Sequence, residues 1–427
     1  MHYLAKKGFD SIDTGLNLLF CKIMEKFLYR LSCFFNLTHG YTMKPSVKLF
    51  VVTIICHFVI AGCGTTLKQV SVSDAEVQIE REKQQDAVFS LFTERSDKLH
   101  NISYPLLMVA GDIFPKQTRP IYGFLLHDKY LYGKLLGHEY EEVAERHNIG
   151  EKITVGYIHP DFPVGATGLK IGDQIISIND KLIEKMNAYE AMKILQHLKE
   201  DAPIKLSIKR DFQINKLVIP CVLGCKYPIN IANNDVINAW ADNKSVTVTT
   251  GLIRFCESDR ELALVLGHEI SHNALKHVVK TRTNAIIGSI FDVAIQLATG
   301  VSTSNTFGSI GASVFSIAFE EEADYAGLYI LSRAKYDISG AGNFFRRMAA
   351  EHPSSIKSGF LASHPTSPKR FVSIEHTIEE IEEKKQNGIP LFPEEKAKDV
   401  KDAEDVQETN DEEEIFSGIY FDTTLFS

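Results

Sequence analysis

The stretch Leu262-Ala263-Leu264-Val265-Leu266-Gly267-His268-Glu269-Ile270-Ser271-His272 holds the residues whose types and spacing point most directly to chemistry. At 3.6 residues per turn, His268 and His272 return to nearly one face of a helix. Two neutral imidazoles held that way can share a zinc ion, and Glu269 beside them can take a proton from zinc-bound water. A catalytic zinc keeps one position open and needs a third protein ligand from elsewhere. The run Phe319-Glu320-Glu321-Glu322-Ala323-Asp324, whose first glutamate lies 48 residues past His272, offers one. Three consecutive glutamates leave its identity open at this point.

Elements must hold these groups. Ser258-Asp259-Arg260-Glu261 reads as a capping box, and Leu262, Leu264, Val265 and Leu266 give the helix an apolar body. Upstream, residues 236–241 and 245–253 read as paired strands around a turn at Asp242-Asn243-Lys244. Residues 284–319 carry one charge, Asp292, and break around Ser302-Thr303-Ser304-Asn305. Each half is short for a membrane span. Two helices packed inside the domain are expected, with a lid or a lipid-dipping surface as the alternative. Ser363-His364-Pro365-Thr366-Ser367-Pro368-Lys369-Arg370 precedes a helix through Ile374, Ile378 and Ile381. Residues 394–414 are acidic and read as disordered.

Together, the Asn238-Ala239-Trp240-Ala241 hairpin, the Thr250-Gly251-Leu252 strand end, the HEISHNALKH helix and the Glu-x-x-Ala-Asp run resemble a gluzincin family. It is the family of CAAX prenyl proteases, HtpX and BepA-like proteases. The resemblance implies one zinc per chain, held by His268, His272 and Glu320, with Glu269 as the catalytic base. It implies that Asp324 accepts a hydrogen bond from a ligand histidine and fixes its tautomer. It makes residues 246–250, with Val246, Val248 and Thr250, the edge strand that aligns substrate. The Ser363-His364-Pro365 segment resembles the family's Ser/Thr-His-Pro…Arg segment. That places His364 near the zinc, as a removable fourth ligand or an oxyanion stabiliser, with Arg370 anchoring the loop. His277 is expected to be structural. The metzincin pattern is excluded, because it needs a glycine at position 275 and a histidine at 278.

A second unit precedes this one. Gly165-Ala166-Thr167-Gly168-Leu169-Lys170-Ile171-Gly172-Asp173-Gln174-Ile175-Ile176-Ser177-Ile178-Asn179-Asp180 resembles the core of PDZ domains in bacterial proteases. Gly172 and Asp173 are turn residues before a β-rich apolar run. Residues 190–199 read as a helix. Such domains capture an extended peptide, often a terminus, at a sheet edge. Tyr122-Gly123-Phe124-Leu125-Leu126 is the candidate carboxylate-binding loop.

The expected architecture is therefore α+β. A PDZ-like small β-barrel domain (105–222) precedes a mostly helical zincin domain (223–390) with a short hairpin. Residues 1–42 read as an upstream extension and 391–427 as an acidic tail. Lys44 and Lys48 lead an apolar run that ends in Ile60-Ala61-Gly62-Cys63, which resembles a bacterial lipobox. This implies a signal peptide at 43–62, acylation at Cys63 and a tether and helix over 63–104. Gly64 favours the periplasmic face of the outer membrane by the same resemblance. Residues 1–62 hold seven Lys/Arg and three Asp/Glu, so the body carries −13 of the net −9. An acidic body without a basic stripe argues against nucleic acid as partner. Past the leader and Cys63, three cysteines remain, too few for a disulfide framework. Cys221 and Cys225 could close one small bridge, or all three are free thiols. The expected activity is that of a zinc metalloendopeptidase of envelope proteins, recruiting through the PDZ unit. A non-proteolytic assembly factor or a PDZ adaptor is the alternative.

Overall fold

The computed structural model describes residues 70–198, 201–283, 306–352, 360–365 and 367–396, and the isolated Ile286, Ser289 and Gln296. The expected signal peptide, Cys63, the extension over 1–42 and most of the acidic tail lie outside them.

The chain enters on one long helix, α1 (Asp74–Ile113). A tether and helix ending at residue 104 is the expectation. The helix instead runs through Pro105. The carbonyl of Asn101 that Pro105 leaves without an N–H lies 3.3 Å from His159 Nε2. His159 Nδ1 accepts the backbone N–H of Asp161 at 3.1 Å, which leaves Nε2 as the donor. Phe89, Phe92, Leu99, Ile102 and Leu106 of α1 are buried.

Next comes the PDZ-like sheet. Its strands are β2 (Phe124–His127), β3 (Thr154–Ile158), β4 (Gln174–Ile178), β5 (Lys181–Leu182), β6 (Ile204–Arg210) and β7 (Gln213–Ile219). Their order is β2-β3-β4-β6-β7, with β5 beside β4, so β2 and β7 end the path. Two short helices, α2 (Lys129–Leu136) and α3 (Tyr140–Arg146), follow β2, and α4 (Ala188–Gln196) follows β5. Asp128 ties two of them together. Its Oδ1 accepts the Leu131 N–H at 2.8 Å and its Oδ2 the Ala188 N–H at 2.6 Å, so one buried carboxylate starts both α2 and α4. A two-stranded ribbon of β1 (Thr118–Ile121) and β8 (Val222–Cys225) closes this part. Cys221, Cys225 and Cys256 are all free thiols, the second of the two alternatives open in the sequence.

The second part has a three-stranded sheet of β9 (Ile229–Ala232), β10 (Ala239–Ala241) and β11 (Val246–Thr249), in the order β10-β11-β9. Residues 250–253, expected as strand, begin the short helix α5 (Thr250–Phe255), because the Thr249 hydroxyl caps it by accepting the Leu252 N–H. Then come α6 (Asp259–Ala274), α7 (Thr306–Arg333), α8 (Gly342–Glu351) and α9 (Pro368–Gln386). Residues 306–319, expected as a separate apolar helix, are continuous with the acidic run in α7. Ser258 caps α6 through the Glu261 N–H, but Glu261 reaches back to the Glu257 N–H rather than to Ser258. Among the described residues no helix is long and apolar enough to cross a membrane.

Where α6 and α7 cross, glycine faces glycine. A Cβ on Gly327 would sit 3.1 Å from the Gly267 carbonyl carbon and from the His268 nitrogen. That closeness brings the two helices' polar faces within reach of each other.

Candidate metal centre

Four side chains from three segments converge at that crossing. His268 and His272 come from α6, Glu320 from α7, and His364 from the turn before α9. One ligand atom from each lies within 4.8 Å of the others, and all four residues are buried. His268 Nε2 lies 3.0 Å from His272 Nε2 and 3.3 Å from Glu320 Oε2. His272 Nε2 is 3.2 Å from Glu320 Oε1, and His364 Nδ1 is 3.1 Å from His268 Nε2. Tetrahedral bonds of about 2.0–2.1 Å to zinc separate ligand atoms by roughly 3.3 Å. The donor set therefore has nearly the edge lengths and the nitrogen–oxygen chemistry that a zinc ion requires.

Each ligand is oriented from behind. His268 Nδ1 lies 2.9 Å from Asp324 Oδ1, which leaves Nε2 for the metal. Asp324 is gripped in turn by Arg370, through Nε and through Nη2 at 3.0 Å. The same guanidinium reaches Glu320 Oε2 at 3.0 Å and the carbonyls of His364 and Pro365 at 3.2 Å each. Arg370 thus binds the α7 acids and the His364 loop into one piece. Phe360 stacks on the His364 ring at 4.4 Å.

The charges follow this wiring. Burial opposes charge on His268, yet hydrogen bonds to Asp324 and Glu320 raise its pKa. Burial and the neighbouring His268 lower that of His272. Burial also opposes ionisation of Asp324, but the Arg370 guanidinium and His268 carry it below the usual carboxylate range. Glu320 is likewise held well below that range against its burial, by His364, His268 and His272. Glu320 is thus a buried carboxylate kept ionised among the ligand atoms, as a cation there requires.

Glu269 is fully buried, and neither of its carboxylate oxygens has a hydrogen-bond partner. His364 Nε2 lies 3.2 Å from Oε1, an ion-pair distance whose alignment fails as a hydrogen bond. The Glu269 carboxylate thus stands beside the ligand cluster with the His364 ring as an ion-pair neighbour. Glu321 and Glu322 are occupied elsewhere, with Lys369 at 2.8 Å and His277 at 3.0 Å.

Two features escape sequence reading. His277 Nδ1 lies 2.9 Å from His272 Nδ1, and His277 Nε2 lies 3.0 Å from Glu322 Oε2. With His272 Nε2 facing the metal position, its Nδ1–H donates to His277, which donates onward to Glu322. Asn273 holds the Asp242–Ser245 turn, accepting the Asn243 N–H at 2.7 Å and donating to the Ser245 carbonyl at 2.8 Å.

One expectation is corrected. Residues 246–250 are not an edge strand, because β11 lies between antiparallel β10 and parallel β9 and both its sides are paired. Val246, Val248 and Thr250 are buried, and Thr250 belongs to α5. The strand that ends this sheet on the other side of β11 from β9 is β10, with Trp240 exposed.

Comparison with known proteins finds two family matches along the chain. Residues 214–378 match the model of peptidase family M48, and residues 132–209 match that of the PDZ domain. The mitochondrial metalloendopeptidase OMA1 of Arabidopsis thaliana is 24% identical over 63% of this chain and 56% of its own length. OMA1 of Schizosaccharomyces pombe is 30% identical over 38% of this chain and 50% of its own. The beta-barrel assembly-enhancing protease of Yersinia pestis is 28% identical over 33% of this chain and 32% of its own. The chain thus spans about half the length of the first two relatives, and less of the third.

Proposed function

We propose that this chain, which carries a peptidase M48 domain behind a PDZ domain, is a zinc-dependent metalloendopeptidase acting in protein quality control. The observation that carries the reading is the convergence of four buried ligand atoms beside the fully buried Glu269 carboxylate.

In this reading His268, His272 and Glu320 would hold the metal, and His364 would be a fourth, removable ligand. Zinc, when bound, supplies Lewis acidity toward the scissile carbonyl and toward water. Glu269 takes the proton of the attacking water and delivers it to the leaving amine. Asp324 keeps the His268 tautomer fixed, and Arg370 neutralises Asp324 and Glu320 while anchoring the loop that carries His364.

The finer assignments belong to the same proposal. The division is a tether and a helix that runs on to Ile113, then a PDZ-like domain up to residue 222, a catalytic domain over 223–390 and a tail over 391–427. The lipobox resemblance at Cys63 supports a lipid anchor in the cell envelope, at the periplasmic face of the outer membrane. The relative named a beta-barrel assembly-enhancing protease supports envelope proteins as substrates, with peptide segments recruited through the PDZ unit.

The test is Glu269→Gln, assayed for zinc content and for cleavage of an unfolded protein. We expect zinc at the wild-type level and cleavage lower by about 10²–10⁴-fold. Cleavage at the wild-type rate would overturn the mechanism.

A further inference from the structure

A cleft of about 770 Å³ opens between the PDZ-like sheet and the sheet of the catalytic part. Two sheet ends face it. β2 ends the first order and β9 ends the second, and Leu125, Leu126, Ile229 and Ile231 from these strands line the cleft. An unpaired strand edge takes an extended segment as an additional strand. Met192 and Tyr189 of α4, with Tyr227 opposite, add apolar surface.

The charge of the lining is one-sided. Arg119, Lys134, Lys193, Lys226 and Lys244 all line the cleft, scattered far enough along the chain that no basic stretch announces them. None of the five has an ion-pair partner among the described residues. Arg119 Nε is buried without a hydrogen-bond partner, although Nη1 donates to the Gln196 carbonyl. Lys134 and Lys193 stand 3.3 Å and 4.4 Å from the centre of the Tyr189 ring. The one carboxylate of the lining, Asp242, already accepts the backbone N–H groups of Lys244 and Ser245. Five uncompensated cations in a chain of net charge −9 select an occupant that is acidic, extended and partly apolar.

Such a segment exists in this chain. Residues 399–421 hold nine Asp/Glu against one Lys, followed by Ile415, Phe416, Ile419, Tyr420 and Phe421. Their approach is laid out by the residues before them. Glu394 pairs with Lys384 at 3.0 Å, and the Arg333 guanidinium lies over the Phe392 ring at 4.3 Å. Arg333 also pairs with Asp112 in the last turn of α1, the helix that supplies Ser96 and His100 to the cleft. From Asp112 to His100 is roughly 18 Å along a helix. Twenty extended residues past Lys396 span roughly 65 Å.

We propose that the cleft between β2 and β9 is occupied by this chain's own acidic segment, residues 399–421, lying as an extended strand with its carboxylates on the cleft lysines. The segment then shields the PDZ edge, and any other peptide of like chemistry must displace it. The proposal concerns binding alone and stands apart from the protease reading.

The test uses full chains carrying Glu269→Gln, so that nothing is cut, and a fluorescent synthetic peptide of residues 402–421 followed by anisotropy. One chain keeps its tail, and in the other the nine acidic residues of 399–414 are replaced by Asn or Gln. We expect the neutral-tail chain to bind the peptide, and the native chain to bind it at least about tenfold more weakly, because a tethered competitor acts at an effective concentration of about 1 mM. Lys134→Glu with Lys193→Glu, both on exposed side chains, should abolish binding to the neutral-tail chain. Equal binding by both chains, no binding by either, or undiminished binding by the double lysine variant each overturns the proposal.

Discussion

Arg370 does more for the metal centre than any ligand does for itself. It is 1% exposed and shared among Asp324, Glu320 and the His364 loop carbonyls. Removing one partner of a buried ion pair leaves a charge that nothing compensates. Arg370→Ala should therefore lower stability by about 3–5 kcal/mol, read as a fall in denaturant midpoint. Arg370→Lys, which keeps the charge but loses the planar fork, should fold and bind zinc more weakly in chelator competition. His277 has the quieter role of supporting His272 from behind. His277→Ala should leave the fold intact and weaken zinc about 10–100-fold in the same competition; unchanged affinity would make the His272–His277 contact incidental. Helical spacing put His268 and His272 on one face, whereas the choice of Glu320 among three consecutive glutamates came from the family resemblance alone. The role of His277 was not legible. Lys276 takes a positive φ of 57° and ends the regular helix, so counting from His272 says nothing about where the next imidazole points.

At the level of elements, the crossing of α6 and α7 sets how far apart the ligands lie. A helix-interior glycine replaced by alanine ordinarily gains about 0.5–1 kcal/mol. Gly327→Ala should do the opposite, losing about 1–3 kcal/mol, because the new methyl meets the α6 backbone at 3.1 Å. Its zinc affinity should fall as well, since the helices separate by a few tenths of an ångström. A stabilised variant with full zinc affinity would show that the crossing can yield without cost. Periodicity and capping residues announced α6 and α9. The central position of β11 was hidden, because its parallel partner β9 lies about fifteen residues earlier and no turn signal links them. The passage of α1 through Pro105 was hidden for a related reason. The residue that satisfies the carbonyl this proline strands is His159, far along the chain.

Across the whole molecule, the metal position joins α6, α7 and the turn before α9. A ligand that binds only the folded state stabilises it by about 2.7 kcal/mol at a hundredfold excess over its dissociation constant. Removing zinc with a chelator should lower the thermal midpoint, and adding zinc back should restore it. An unchanged midpoint would mean that the site adds nothing to the fold. The PDZ-like and catalytic parts were each readable from local patterns. Their bracing by α1 was not, since it rests on pairs such as Lys98 with Asp259 at 3.2 Å and Asp112 with Arg333.

The dispersal of the cluster along the chain also has a consequence for the nascent protein. His268 and His272 leave the ribosome first, Glu320 and Asp324 later, and His364 and Arg370 last. At 5–20 residues per second, the stretch between His268 and Arg370 takes about 5–20 s to make. During that interval Asp324 and Glu320 lack the guanidinium that neutralises them, and the donor set is incomplete. Under the proposed peptidase function, the nascent chain therefore lacks a complete active site until His364 and Arg370 have emerged.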